Sequence, residues 1–354
     1  MTDERKAYYW LATSGLSVAK QYALLGIYGM PSEIADSVGS EKLREYCGAC
    51  YKRMKQSADE SFLDKELTAL KKKGIRLLVK GYGNYPEKLA QCEDRCPLVL
   101  YAKGNDGLLA AETLAVVGSR ACTDYGRTVA TNWTETLCRR FVIASGHATG
   151  IDTYAVRSCV EAGGSAVIVL ACGHDKFPQP DFLKNAEGRY LLIGEYPPSA
   201  TANKYVYGAR NRLISGLSDG VLIVEAGEKS GALITAKSAA EQNRPVFAVP
   251  GSVLSTRSAG TNGLLRHGAI AVTSPYDVEE DLGYEPDFAK SEKRRLTGIR
   301  KKVADLLGNG SVHFDDIVSA LGSDPSETAE LLGEMELDGI VERKMFNYYS
   351  LSVR

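Results

Sequence analysis

The sequences LAVVGSRACTDYGR (residues 114–127), FVIASGHATGID (141–152) and GVLIVEAGEKSGALITA (220–236) share one pattern. In each, an apolar strand leads into a turn rich in glycine and serine, and the turn opens a helix. A helix start has unpaired backbone N–H groups and a partial positive charge, and glycine lets an anion approach them closely. Because such turns at the same ends of parallel strands converge on one crevice, the pattern predicts a phosphate-binding α/β domain.

The rest of the central region continues this alternation of strands and helices. Its apolar runs are unbroken, as in AVIVLA and VLIVEA, which is typical of strands covered on both faces of a mainly parallel sheet. The predicted strands cover 114–118, 141–145, 165–171, 189–195, 220–226, 245–249 and 269–273.

Helical segments flank the central region on both sides. Residues 5–72 show helical spacing of apolar residues, and Gly-Leu-Ser at 15–17 is typical of small helical modules that touch nucleic-acid backbone. A packing or docking module remains the plainer interpretation of that region. The C-terminal segment predicts a winged-helix-like fold, with helices at 296–307, 314–321 and 326–338 and a hairpin at 340–351. The predicted domains are 1–75 (helical, SAM or helix-hairpin-helix-like), 76–283 (Rossmann-like), a linker at 284–294, and 295–354 (winged-helix-like).

The composition predicts a soluble protein without a global basic field. The 354 residues are 44% hydrophobic and 25% charged, and the formal net charge is −1. No apolar run approaches the ~20 residues that span a bilayer, and the N-terminal MTDERKAYYW lacks the apolar segment of a signal peptide. We therefore expect a cytoplasmic protein, and any nucleic-acid partner would have to be held by a local patch.

The eight cysteines are expected to be free thiols in that compartment. Cys47 with Cys50 and Cys92 with Cys96 also suggest a zinc site, but the two pairs lie far apart in the sequence and the second spacing is loose. The sequence leaves open whether these four bind a metal.

The candidate phosphate-binding residues come from the three turns and two neighbouring segments. Arg120 can bind phosphate oxygens with two N–H groups at once, and Lys176 lies in a loop that follows a strand. Arg210 and Arg212 lie two apart on a helix and point about 200° apart, so that one can reach the crevice while the other pairs internally. The full set is Gly118, Ser119, Arg120, Ser145, Gly146, Gly150, Lys176, Arg210, Arg212, Ser230, Gly231 and Thr235.

No catalytic constellation stands out in the sequence. None of the four histidines has a metal-ligand spacing, no GKS or GKT phosphate loop is present, and no G-x-G-x-x-G follows a strand. A pocket of backbone amides, hydroxyls and arginines suits binding rather than chemistry, so we expect neither catalytic residues nor a cofactor.

Several of these motifs resemble the DNA-processing protein A family (DprA, also called Smf). The matching stretches are VVGSRACTDYG (116–126), ASGHATGID (144–152), the run from ARNRLISG to VFAVPG (209–251) and AGTNGLLRHGA (259–269). The resemblance covers roughly residues 80–283. Lys176 lies in HDKFPQPD, a diverged version of the family's Tyr-Pro loop.

The resemblance implies an extended Rossmann-like fold that binds single-stranded DNA without base preference. It also implies that the protein protects incoming DNA during natural transformation, loads the RecA recombinase and forms a homodimer. By motif, the three turns together with Arg210 and Arg212 would line the DNA-phosphate pocket.

Two other hypotheses remain at this point. A phosphoribohydrolase-like enzyme on a related core would carry Pro-Gly-Gly-x-Gly-Thr-x-x-Glu, whereas the nearest segment here, PGSVLSTRSAG (250–260), has no glutamate in register. A structural adaptor with a vestigial pocket is the third.

Overall fold

A computed structural model of the chain describes residues 3–83, 85–92, 96–284, 298–308, 310–337 and 340–351. Within these residues, nine strands form one sheet in the order β1-β2-β6-β5-β4-β3-β7-β8-β9. The strands are β1 (Arg76–Val79), β2 (Val99–Gly104), β3 (Thr113–Val117), β4 (Val142–Ser145), β5 (Ala166–Val169), β6 (Tyr190–Gly194), β7 (Gly220–Ile223), β8 (Val246–Ala248) and β9 (Ile270–Ala271). All seven strands predicted for the central region are present, which confirms the mainly parallel α/β fold.

The connections place a switch point in the middle of the sheet. The chain steps outward from β3 through β4, β5 and β6, and then returns to β7 on the other side of β3. The pairs from β6 across to β9 are parallel, whereas β1–β2 and β2–β6 are antiparallel. A crevice opens where strand order reverses in such sheets, which here is beyond the carboxyl ends of β3 and β7.

The central strands are covered on both faces. Every residue of β3, β4, β5 and β7 is buried, as the unbroken apolar runs predict. The covering helices are α7 (Glu87–Ala90), α8 (Asp124–Leu137), α9 (Ile151–Glu161), α10 (Lys204–Gly216), α11 (Ala232–Glu241) and α12 (Ala259–Arg266).

The N-terminal residues form helices, as predicted, and pack on the first two strands. Their core contains Trp10, whose indole Nε1 donates to the carbonyl of Met54 at 2.9 Å, and it continues into Val99 and Tyr101 of β2. The predicted boundary at 75/76 stays a prediction. The helices are α1 (Glu4–Ala12), α2 (Val18–Tyr28), α3 (Pro31–Asp36), α4 (Glu41–Cys47), α5 (Tyr51–Ser57) and α6 (Glu60–Lys72).

All eight cysteines lie in the described residues and are thiols rather than disulfides. The Cys50 thiol donates to the carbonyl of Gly15 at 3.4 Å, whereas the Cys96 thiol lies 3.2 Å from the Tyr22 hydroxyl. Among the residues that the structure describes, no group of three or more histidine, cysteine or acidic side chains is arranged to hold a metal ion. Over the same residues, no helix is both long and apolar enough to cross a bilayer.

Residues 274–354 form a compact unit of their own, separate from residues 1–273. Three of its strands pair in the antiparallel order β10-β12-β11, and Val303, Ile317, Leu332 and Tyr349 contribute to its core. Its elements are α13 (Pro275–Asp281), α14 (Gly298–Leu307), β10 (Val312–His313), α15 (Phe314–Leu321), α16 (Pro325–Leu337), β11 (Val341–Arg343) and β12 (Tyr348–Leu351).

This arrangement matches the predicted winged-helix elements. Two predictions for this region concern residues that the structure does not describe. They are the linker at 284–294, of which only Tyr284 is described, and the first two residues, 296–297, of the predicted helix at 296–307.

Candidate nucleic-acid interface

A cleft of about 620 Å³ opens beyond the carboxyl ends of β3 and β7. We call it the phosphate cleft. The first and third sequence turns form its two sides, as the switch-point argument predicts. The predicted site residues that line it are Gly118, Ser119, Arg120, Arg210, Ser230, Gly231 and Thr235.

Backbone hydrogen bonds hold the first turn in place. The Ser119 N–H donates to the carbonyl of Glu225 at 2.7 Å, and the Ser119 carbonyl accepts the N–H of Ile151 at 3.2 Å. The Glu225 side chain is buried, and its Oε2 accepts the N–H of Thr123 at 2.9 Å, just before α8 begins. These hydrogen bonds fix the turn against Glu225, which follows β7. The backbone that carries Arg120 is therefore held in one position.

A buried carboxylate links the first turn to the second. Asp152 Oδ1 accepts the N–H of Gly118, and its Oδ2 accepts the N–H of Gly146, both at 3.3 Å. Burial raises the pKa of Asp152, while the nearby Arg210 and the N–H donors oppose that rise. Asp152 lies within α9, whose N-cap is Gly150, so its side chain fixes the relative position of two turns rather than capping the helix.

Arg210 is a buried brace at the floor of the cleft. Its Nη1 donates to the carbonyl of Gly146 at 2.8 Å and also to the carbonyl of Val169, so it joins the ends of β4 and β5. Burial lowers the pKa of its guanidinium, and Asp152 opposes that effect. Gly146 must be glycine here, since a Cβ would lie 2.4 Å from Arg210 Nη2.

The second turn also needs glycine at its end. Gly150 has a φ of +92°, and a Cβ there would lie 2.3 Å from the carbonyl oxygen of Ser119. A side chain would therefore separate α9 from the first turn. Gly150 supports the cleft without lining it.

Five of the predicted site residues do not line the phosphate cleft. Gly146 and Lys176 line a second, adjoining cleft, and Gly150 supports the second turn. The Arg212 guanidinium pairs with the Glu195 carboxylate on another face of α10. Ser145 is fully buried, and its hydroxyl donates to the carbonyl of Val116 at 2.8 Å, which ties β4 to β3. Of the two arginines on α10, Arg210 faces the cleft floor and Arg212 pairs internally, as helix geometry allows.

The third turn is ordered by its own side chains and by α10. The Ser230 hydroxyl accepts the N–H of Ala232 at 3.3 Å, and Asn211 Nδ2 donates to the carbonyl of Gly231 at 3.2 Å. Asn211 Oδ1 in turn accepts Arg210 Nε at 3.2 Å. The floor and the third turn are therefore one connected network.

A second cleft of about 570 Å³ adjoins the first, and Arg120, Ala148 and Tyr207 line both. The exposed Lys176 lies here, beside the ring of Phe177. We call this second space the aromatic cleft. The guanidinium of Arg120 lies 4.7 Å from the centre of the Tyr207 ring, on the boundary between the two clefts.

His147 forms a further wall of the aromatic cleft. Its ring packs edge-on against Phe177, with centroids 5.6 Å apart, and its Nδ1 lies 3.2 Å from the Thr153 hydroxyl. Burial lowers the pKa of His147, and the positive charge of Arg210 lowers it further. Both effects favour the neutral form of the imidazole ring.

Sequence reasoning missed three cleft residues, Tyr207, Lys229 and Arg257. Lys176 is a predicted site residue because it lies in a loop that follows a strand. Arg257 lies in the loop after β8, so the same argument would have identified it. Lys229 is adjacent to Ser230 in a turn already identified. Nothing in the sequence distinguished Tyr207 from a packing residue on α10. Lys229 and Arg257 are exposed and form no ion pair with any residue in the described ranges.

A search against models of known protein families matches residues 76–283, more than half of the chain, to the DNA recombination-mediator protein A family. The chain belongs to this family. Residues 289–344 match a model described as the DprA winged helix domain. The resemblance inferred from the glycine-rich turns is confirmed.

Relatives and solved structures agree with the family match. The chain is 38% identical over 225 residues to the DNA processing protein DprA of Bacillus subtilis, covering 62% of this chain and 75% of that one. The structure of DprA from Streptococcus pneumoniae matches with a TM-score of 0.67 and 32% identity, over 80% of this chain and 100% of that one.

A second solved structure carries functional information about a family member. It is DNA processing protein A from Helicobacter pylori, described in terms of that protein's single-stranded DNA binding mode. It matches with a TM-score of 0.52 and 28% identity, over 59% of this chain and 95% of that one. Membership of this family places the chain among DNA processing proteins and does not favour the phosphoribohydrolase hypothesis.

Proposed function

We propose that this protein binds single-stranded DNA in the cytoplasm, without base preference and without catalysing a reaction. One observation carries the proposal. Three exposed cations, Arg120, Lys229 and Arg257, surround a cleft at the switch point of the sheet, lined by the glycine-containing turn after β3 and by the start of α11. Such a cleft suits an anionic backbone, and membership of a family of recombination mediators supports DNA as that backbone.

DNA must be attracted by a local group of cations rather than by the net charge of the chain. The formal net charge of the chain is −1, so no long-range field draws DNA to the whole surface. Three cations that each neutralise one phosphate of a single strand predict a slope of about −2 for log K against log salt concentration.

The aromatic cleft favours a single strand over a duplex. Bases of a single strand are free to turn toward the Tyr207, Phe177 and His147 rings, and stacking on such rings tolerates any base. A duplex keeps its bases paired and stacked inside, where these rings cannot reach them. The preference for a single strand over a duplex therefore depends on the phosphate cleft, which holds the backbone, and on the aromatic cleft, which contacts the bases.

A binding titration across salt concentrations tests the proposal. We expect a labelled oligo-dT to bind more tightly than a duplex of equal length, with a slope of about −2. Oligo-dT and a mixed-sequence strand should bind alike. Equal or tighter binding to the duplex would count against the proposed function. Free base released from nucleoside monophosphates would support the enzymatic alternative instead.

We also propose that two copies of the chain form a dimer, as the family resemblance implies. Two protomers would join two clefts, so that the apparent affinity rises steeply once a strand spans both. Light scattering at micromolar concentration should give twice the mass of one chain. A monomer mass, with and without oligo-dT, would contradict this proposal.

We further propose that the bound strand is protected and then passed to RecA. The support is the chain's membership of a family described as recombination mediators. When RecA meets a strand already coated by a single-strand binding protein, its strand-dependent ATP hydrolysis should start sooner with the wild-type protein than with Arg120→Ala. An unchanged lag for both proteins would refute the proposal.

The C-terminal unit is not expected to read duplex DNA. A winged helix places its recognition helix in the major groove, yet α16 contains four glutamates and no lysine or arginine. The groove is flanked by phosphates, which repel such a helix. The basic residues Lys293, Arg294 and Arg295, which precede α14 in the sequence, lie outside the described residues.

The corresponding test uses residues 274–354, which form a unit with its own core. Selection from a random duplex pool at about 0.15 M salt should yield no enriched sequence. A recovered consensus sequence would overturn this prediction.

A further inference from the structure

The loop from Gly251 to Arg257, which we call the rim loop, exposes two aliphatic side chains almost completely. Val253 is 90% exposed and Leu254 is 93% exposed, and the rest of the loop is small or polar apart from Arg257. Because burying apolar surface is favourable, two adjacent aliphatic side chains left in water would stabilise a complex whose partner covered them.

Hydrogen bonds hold the rim loop in a defined conformation. Its first residue is fixed by two hydrogen bonds with one side chain: Gly251 N–H donates to Asn262 Oδ1 at 3.2 Å, and Asn262 Nδ2 donates to the Gly251 carbonyl at 3.0 Å. Ser255 N–H donates to the Ser252 carbonyl at 3.0 Å, and Leu254 N–H donates to the Ser252 hydroxyl at 3.2 Å. The two aliphatic side chains are therefore presented in a defined direction.

The rim loop also belongs to the edge of the phosphate cleft. Arg257, three residues after Leu254, lines that cleft. Gly227 lines it as well, and a Cβ added at Gly227 would lie 3.1 Å from the carbonyl oxygen of Thr256. A strand whose phosphates contact Arg257 would therefore run past Val253 and Leu254.

We propose that Val253 and Leu254 contact the nucleobases of the bound strand and wedge between two neighbouring bases. The inference rests on the proposed function, since it needs a strand in the phosphate cleft. Apolar side chains inserted at a base step are a known way for proteins to unstack nucleic acid, and the contact is indifferent to base identity. The wedge would hold the strand extended while the cations hold its phosphates.

The size and surroundings of the patch favour a base over a protein partner. A stable protein interface buries well over 1,000 Å² in total, with a packed apolar centre. The rim loop offers only two apolar side chains, among serines and a threonine, in the same loop as Arg257, which lines the phosphate cleft. A nucleotide presents an apolar base face together with an anionic phosphate, which matches an apolar pair in the same loop as Arg257.

The test compares Val253→Ser/Leu254→Ser with wild type on two strands of equal length, oligo-dT and a strand carrying an abasic stretch. We expect the double variant to bind oligo-dT about tenfold more weakly, with an unchanged salt slope, and to bind the abasic strand like wild type. Val253→Ile/Leu254→Met should retain wild-type binding of both strands. A 2-aminopurine reporter in the strand should brighten on binding wild type, because unstacking relieves quenching, and should stay dim with the serine variant.

The outcomes separate the wedge from the proposed function. If wild type binds neither strand, the proposed function fails and the wedge fails with it. If wild type binds both but the serine variant loses affinity equally for both, or for neither, the wedge alone is overturned. A serine variant that changes the mass of the free protein would show that the loop contacts a second copy of the chain, which also overturns the wedge.

Discussion

Replacing Arg210 by alanine should lower the free energy of unfolding by about 3–5 kcal/mol, which is the usual cost of removing one partner from a buried charged network. The guanidinium serves the carbonyls of Gly146 and Val169, and its charge offsets the buried carboxylate of Asp152. Alanine leaves those acceptors without a donor and Asp152 without a nearby positive charge. The second turn would then lose its position against β4 and β5.

Urea unfolding of the variant measures this loss directly. Arg139→Ala is a matched control, because Arg139 is exposed and precedes the amino end of β4, at the opposite edge of the sheet. We expect the control to stay within about 0.5 kcal/mol of wild type. An Arg210→Ala protein as stable as the control would show that Arg210 is not the brace described here.

The double variant Arg120→Ala/Arg257→Ala should weaken single-stranded DNA binding by about 10²–10⁴-fold, since a hydrogen bond to a charged group contributes about 1.5–3 kcal/mol. Both side chains are exposed and line the phosphate cleft, so the fold should be unaffected. Each arginine that neutralises one phosphate of a single strand adds about 0.7 to the salt slope. The double variant should therefore show a slope shallower by about 1.4, and Arg120→Ala alone by about 0.7.

The same control applies to this binding prediction. Arg139→Ala removes one positive charge from the far edge of the sheet and should leave affinity and slope unchanged. The loss in the double variant should be equal for all strand sequences, because phosphate contacts carry no base information. A double variant with wild-type affinity and slope would remove both arginines from the DNA site.

The strands and turns of the central region could be predicted because their signals are local. Unbroken apolar runs such as AVIVLA mark strands buried on both faces, and glycine marks the positions where a turn meets a helix. Since the carboxyl ends of parallel strands share one edge, the convergence of Gly118 and Gly231 on one cleft also followed from the sequence. The structure confirms the fold and this convergence.

The roles of individual side chains could not be predicted, because they depend on long-range packing. Helix geometry separated Arg210 from Arg212 but did not say which of them pairs internally, since Glu195 lies on a distant strand end. Ser145 is a good phosphate donor by type, yet the neighbouring β3 carbonyl takes its hydroxyl hydrogen. Tyr207 is identified only by the cation that lies over its ring. The DNA-binding roles of the predicted site residues stay predictions.

Hydrogen–deuterium exchange with and without oligo-dT tests the central claim most directly. The claim is that the strand's phosphates lie at the turns that follow β3 and β7. Bound oligo-dT should slow exchange in peptides covering residues 118–121 and 227–232, and leave residues 138–141 at the opposite edge of the sheet unchanged. Saturating oligo-dT that slows exchange elsewhere but in neither of the two turns would contradict the account.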